Sequence, residues 1–179
     1  MNLDPQLQVK AQPVKLLGLD VDGVMTDGRL YFSADGQESK TFNILDGHGI
    51  KMLQSTGVKV AIITGRETPV VANRAKNLGI EILLQGREDK RVALNEIRQQ
   101  LQLEWHEIAY LGDDLPDLPA IQQVGLGLSV PNGYWLVKQL ADGVTETPGG
   151  QGAVREVCDF IMNAQSTLQQ ALDPYLQAN

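Results

Sequence analysis

Three strand ends predict an α/β fold, a parallel sheet with helices on both faces. Val14 to Leu19 is a mostly apolar run that stops at Asp20-Val21-Asp22-Gly23, Val58 to Ile63 is β-branched and stops at Thr64-Gly65-Arg66, and Glu107 to Leu111 stops at Gly112-Asp113-Asp114. Near-continuous apolar runs of this length read as strands buried on both faces. In an open parallel sheet the ligand lies beyond the carboxyl ends of the strands, so three polar, glycine-bearing ends are expected to converge on one cleft.

The other elements follow in order. Residues 1–12 form a polar extension, and Met1 to Pro13 lacks an apolar signal-peptide core. Two short β-prone runs, Arg29 to Ser33 and Ser39 to Asn43, flank an Asp-Gly turn, which predicts a hairpin over 29–43. A lone hairpin is marginal in water, so Leu30, Tyr31, Phe32 and Phe42 must bury surface elsewhere, and a subunit interface would serve. Helices are predicted from Asp46 to Thr56, from Thr68 to Asn77 with Pro69 in the first turn and Gly79 after the end, and from Lys90 to Leu101. Ile80 to Leu84 is a further strand. A short helix over Leu118 to Gln123, a strand over Val124 to Val130, a helix over Tyr134 to Leu140 and a short strand at Gly143 to Thr145 lead to a last helix, Ala153 to Ala164. Strands alternating with helices of this length imply right-handed βαβ units. The tail, 165–179, reads as disorder or as a segment docked on a neighbour through Leu168, Leu172, Tyr175 and Leu176. The whole of 1–179 reads as a single domain.

If extended geometry persists past Asp20, the side chains of Asp20 and Asp22 face one point. Two carboxylates there repel unless a cation or a shared proton lies between them. The plainer alternative is an acidic turn closing a strand.

Asp20-Val21-Asp22-Gly23-Val24, Thr64-Gly65-Arg66, Lys90 and Gly112-Asp113-Asp114-Leu115-Pro116-Asp117 resemble, in order and spacing, the haloacid dehalogenase superfamily of phosphoryl-transfer enzymes. The segments Asp20 to Gly28, Asp46-Gly47-His48-Gly49-Ile50 and Gly149 to Glu156 are similar to a capless branch that acts on phosphorylated sugar acids. The resemblance implies a Rossmann-like sheet with no cap domain and a Mg²⁺-dependent phosphomonoesterase for an eight- or nine-carbon sugar-acid phosphate, acting in lipopolysaccharide precursor synthesis. It implies Asp20 as nucleophile, Asp22 as general acid and base with a pKa raised by desolvation, and Asp20, the Asp22 carbonyl and Asp113 as metal ligands. An all-oxygen set with room for water suits Mg²⁺. Asp114 and Asp117 are expected to support these ligands.

Thr64, Gly65 and the amides leading into the second helix are expected to hold phosphoryl oxygens. Lys90 is expected to balance charge at the nucleophile, with Lys76 as its competitor. Arg66 and Arg155 are candidates for gripping the substrate's carboxylate, since the guanidinium fork suits it. Each has a plain counterpart: a strand-to-loop junction at Thr64, a solvated lysine, exposed arginines flanking helices. His48, between glycines, is expected to cap rather than catalyse. With no lid of its own the subunit is expected, on the resemblance, to form a homotetramer through the hairpin. A non-catalytic oligomeric scaffold and a phosphate-transferring mutase are the competing readings.

A net charge of −7 argues against nucleic acid or an anionic membrane as partner. It leaves phosphorylated substrates open, because surface charge is screened within about 8 Å at physiological salt. The single cysteine, Cys158, excludes an internal disulfide and lies in an apolar helical run. No apolar run reaches the roughly 20 residues of a membrane span, and a cytoplasmic location is expected.

Overall fold

The computed structural model describes residues 5–176. Six parallel strands form one sheet: β1 (Leu16–Leu19), β4 (Lys59–Ile63), β5 (Ile82–Leu84), β6 (Ile108–Gly112), β7 (Leu126–Ser129) and β8 (Gly143–Val144), in the spatial order β5-β4-β1-β6-β7-β8. The chain moves outward from β1 through β4 to β5, then returns to β1's other edge with β6. That reversal opens a crevice beyond the carboxyl end of β1, where α/β sheets bind ligands.

Strand alternation divides the core. Leu17, Leu19, Val60, Ile62, Ala109 and Leu111 face a layer containing α2 (Ile44–Ser55), α3 (Pro69–Leu78) and α7 (Ala153–Ala164). Leu16, Ala61, Ile63, Ile108 and Tyr110 face α4 (Lys90–Leu101), α5 (Leu118–Ile121) and α6 (Trp135–Leu140). Burying each such leucine or isoleucine stabilises the sheet by about 1.5–3 kcal/mol. Local chemistry sets the helix ends: Asn43 Oδ1 caps α2 by accepting the Leu45 N–H at 2.7 Å, and Thr68 caps α3 ahead of Pro69.

Three expectations change. The hairpin is shorter than the run 29–43, pairing only β2 (Tyr31–Phe32) with β3 (Glu38–Ser39) as a separate two-stranded sheet. Phe42 turns toward its own core, under the Arg74 guanidinium at 5.5 Å, and is partly buried there. The tail, expected to be disordered or docked on a neighbour, forms α8 (Leu168–Leu176), and Ala171, Leu168 and Leu172 pack on this chain's own core. The extension likewise contains a helix, α1 (Pro5–Ala11), with Leu7 and Ala11 buried four residues apart. Residues 1–4 and 177–179 of these two segments lie outside the described residues. Among the described residues no helix is long and apolar enough to cross a membrane.

Candidate functional site

β1 ends at Leu19, and the Asp20 N–H donates to the Leu111 carbonyl at 3.1 Å, which seats Asp20 beside β6. Strand geometry does not continue. The Val21 carbonyl accepts from the N–H groups of Val24, Met25 and Thr26, so the chain curls, with Gly23 at φ +91°. A turn therefore brings Asp22 to the cleft, not the strand alternation expected. Thr26 locks that turn from inside: its Oγ1 accepts from the Gly23 and Gly28 N–H groups and donates to the Val21 carbonyl. Asn132 adds a brace, donating to the Gly23 carbonyl at 2.9 Å and accepting from the Gly149 N–H at 2.7 Å.

The three strand ends meet in one cleft of about 350 Å³, lined by Asp20, Asp22, Thr64, Gly65, Arg66, Lys90, Asp113, Asp114 and Asp117 among others. Lys90 opens α4 and is 3% exposed rather than solvated. Its ammonium pairs with Asp20 Oδ1, donates to the Ile63 carbonyl at 2.6 Å, and lies 3.7 Å from Asp117 Oδ1. Asp113 lies across Gly23, where a Cβ would come within 2.1 Å of its Oδ2. Asp117 is buried behind it: Oδ2 accepts the N–H groups of Asp113 and Asp114, and Oδ1 accepts the Tyr110 hydroxyl at 2.8 Å.

Electrostatics in this cleft favour a cation. Burial, then the charge of Asp117, raises Asp20 to about 7 against the opposing pull of Lys90. Burial, then Asp20 and the other neighbouring carboxylates, raises Asp113 to about 8. Oxygens of Asp20, Asp113 and Asp117 lie within 4.8 Å of one another. Asp117 already serves three donors, so Asp20 and Asp113 are the carboxylates that fit a hard divalent ion, with Asp117 as their support.

Asp22, expected to be desolvated, is less buried than Asp20. The Asp22 side chain is 25% exposed and ion-paired with Lys40. At Thr64 the backbone N–H is spent on the Leu84 carbonyl, and Thr64, Gly65 and Arg66 line the cleft while Pro69–Leu78 of α3 does not. The buried Thr64 hydroxyl accepts weakly from the Arg66 N–H and keeps a proton to donate. Arg66 stands at the rim, bound to Glu38 at 2.8 Å.

Two expected residues are not brought in. Lys76 is exposed in the last turn of α3, the end away from the cleft. Arg155 lies in the first turn of α7, where its Nε donates to Asp159 Oδ2 at 2.7 Å. His48 lies inside α2, edge-on to the Tyr175 ring, and caps nothing. Asp46 plays the part of a cap instead: buried in α2, it accepts the Arg155 N–H at the start of α7 at 2.8 Å, and burial raises it to about 6. Thr26 lies within the Asp20 to Gly28 motif, though its locking role was not read from it, while Lys40, Glu38 and Asn132 lie in no motif. The only signal for Lys40 and Glu38 was charge placed on a hairpin beside the site.

Residues 36–125 match the family model described as haloacid dehalogenase-like hydrolase. A 3-deoxy-D-manno-octulosonate 8-phosphate phosphatase of Salmonella typhimurium is 43% identical over 169 residues, 94% of this chain and 90% of that one. Its counterpart in Yersinia pestis is 47% identical over 90% of this chain and 87% of its own. Among solved structures, a probable yrbi family phosphatase from Pseudomonas syringae superposes with a TM-score of 0.97 at 53% identity, covering 98% of this chain and 100% of that one. The 3-deoxy-D-manno-octulosonate 8-phosphate phosphatase of Moraxella catarrhalis, in complex with magnesium ion, phosphate ion and a KDO molecule, superposes at 0.94 with 41% identity, covering 96% and 99%.

Proposed function

The chain belongs to the haloacid dehalogenase-like hydrolases, and from that membership we propose that it is a Mg²⁺-dependent phosphatase converting 3-deoxy-D-manno-octulosonate 8-phosphate to the free sugar acid, for lipopolysaccharide synthesis in the cytoplasm. The observation that carries this reading is the meeting at Asp20, beyond β1, of Asp113 from the end of β6 and Lys90 from the start of α4. A scaffold has no use for buried carboxylates that repel one another. A mutase needs a closed site to exclude water.

In the proposed reaction an Asp20 oxygen attacks phosphorus, the bond from phosphorus to the sugar oxygen breaks, and Asp22 gives its proton to that leaving oxygen. Water then attacks the aspartyl-phosphate, Asp22 takes its proton, and Asp20 is released with inorganic phosphate. Lys90 offsets the charge that gathers around Asp20, while the Thr64 hydroxyl and the Gly65 amide hold phosphoryl oxygens. Arg66 at the rim suits the substrate's carboxylate. Asp20, the Asp22 carbonyl and Asp113 would hold Mg²⁺, which supplies charge neutralisation at the transferred phosphoryl group.

The hairpin supports a homotetramer as the working assembly. Leu30, Tyr31 and Phe32 are exposed beside the cleft, with Phe32 at 58%. A neighbour seated there covers both the apolar surface and the open site. The direct test is phosphate release by the Mg²⁺-loaded protein from the eight-carbon substrate and from a nine-carbon sugar-acid phosphate. Preference for the eight-carbon ester is expected. Turnover of neither, or preference for the nine-carbon ester, overturns the assignment.

A further inference from the structure

The hairpin sends two charged side chains toward the cleft that the reaction above does not use. Lys40 follows β3, and its side chain is 1% exposed. Hairpin lysines ordinarily reach into solvent, where an ion pair contributes about 0–1 kcal/mol. This one is withdrawn from water and held by two carboxylates, Asp22 through Oδ1 and Glu38 through Oε1 at 2.8 Å. The other Glu38 oxygen accepts from Arg66 Nη2 at 2.8 Å. Four charges of alternating sign, Asp22, Lys40, Glu38 and Arg66, thus run from the turn after β1 to the loop after β4. A buried ammonium is costly unless its partners are well placed, so the arrangement is specific.

We propose that Lys40 is a positioning residue for Asp22, fixing its carboxylate through Oδ1, and that Glu38 ties this contact to Arg66. The inference rests on the phosphatase reading above. Asp22 lies on a turn rather than a strand and is partly exposed, so its rotamer needs a fixed partner. Misplacing a reacting group by about 1 Å costs on the order of a hundredfold in rate. Placement of Asp22 matters most when the leaving group needs a proton.

Leaving groups therefore provide the test. Wild type, Lys40→Met and Lys40→Arg, all with Mg²⁺, are compared on 3-deoxy-D-manno-octulosonate 8-phosphate, an alkyl ester, and on p-nitrophenyl phosphate, whose leaving group needs no proton. In Lys40→Met, kcat on the alkyl ester should fall on the order of 30-fold, several times further than on the aryl ester, as loss of acid–base assistance requires. KM should move little, and Lys40→Arg should recover most of the rate. Equal losses on the two esters, or a loss wholly in KM, would overturn the proposal. If Lys40→Met fails to fold by circular dichroism, Glu38→Gln, which loosens Lys40 without removing it, should give the same selective loss in weaker form. An equal loss there also rejects the proposal. A wild type inactive on the sugar-acid ester would reject the substrate reading, while the alkyl-to-aryl ratio on simple phosphate esters would still decide Lys40.

Discussion

The Tyr110 hydroxyl donates to Asp117 Oδ1 at 2.8 Å, and through that bond the middle of β6 holds the acidic loop at its end. Asp117 Oδ2 in turn accepts the N–H groups of Asp113 and Asp114. A core tyrosine thus sets the position of a carboxylate that fits the metal. Tyr110→Phe should cost about 1–2 kcal/mol, because a buried acceptor loses its donor. Mg²⁺ affinity should weaken several-fold as the Asp113 loop loosens. Denaturant unfolding and calorimetry read the two effects separately, and unchanged metal affinity would mean that the loop is held by other contacts.

Gly18 makes room for that tyrosine. A Cβ at Gly18 would lie 2.7 Å from Tyr110 Cδ2, on a rigid ring with no free end to swing aside. Gly18→Ala should therefore destabilise by about 1–3 kcal/mol through overpacking. Because the displaced ring also leaves Asp117, Gly18→Ala and Tyr110→Phe should be non-additive, the double variant losing less than the sum. Strict additivity in urea unfolding would contradict this coupling.

The pH dependence of stability follows from Asp20 and Asp113. Their folded-state pKa values, about 7 and about 8, lie above the value near 3.9 of an unfolded aspartate, so between about pH 4 and 8 the folded state binds more protons. The stability they contribute is present below about pH 4 and is lost as pH rises through 7 and 8. Metal-free protein should melt progressively lower across that range. Mg²⁺ should restore stability at pH 8 and do little at pH 5. Asp113→Asn should flatten the slope and sharply weaken Mg²⁺ binding. A metal-free melting temperature that rises from pH 5 to 8 would refute this account.

Phe32 is the side chain on which the proposed assembly depends. Phe32→Asp should yield species smaller than a tetramer in sedimentation, with raised KM, while melting of the subunit changes by less than about 0.5 kcal/mol, as for an exposed position. Wild type that sediments as a fully active monomer would remove the hairpin's assembly role. Phe42 is unsuitable for this test, because it packs on its own core.

The parts of the fold most legible in the sequence were those with strong local periodicity. Lys90–Leu101 and Ala153–Ala164 have the bounds that spacing suggests, although in α4 the buried face uses Ala93 while Val92 is 48% exposed. The helices at the two ends were hidden because a few apolar positions in a short polar stretch, with Pro174 inside the second, give a weak helical signal. At the site, the strand ends Asp20, Thr64 and Asp113 were visible as residue types in sequence. The links that prepare them were not. Lys40 meets Asp22 across 18 residues and Asn132 meets Gly23 across 109. Contacts of that separation are set by the tertiary fold and leave no spacing to read.

The position of β1 in the sheet also governs when the site can exist. β1 comes early in the chain, yet it is central, pairing Leu16 with Lys59 on one edge and with Ile108 on the other. During synthesis one edge of this strand waits about 90 residues for its partner, on the order of ten seconds at the usual 5–20 residues per second. The proposed nucleophile, Asp20, therefore leaves the ribosome long before Lys90 and Asp113. A partly made chain carries Asp20 without Asp113, so the proposed ion site and phosphatase chemistry must wait until nearly two-thirds of its length has emerged.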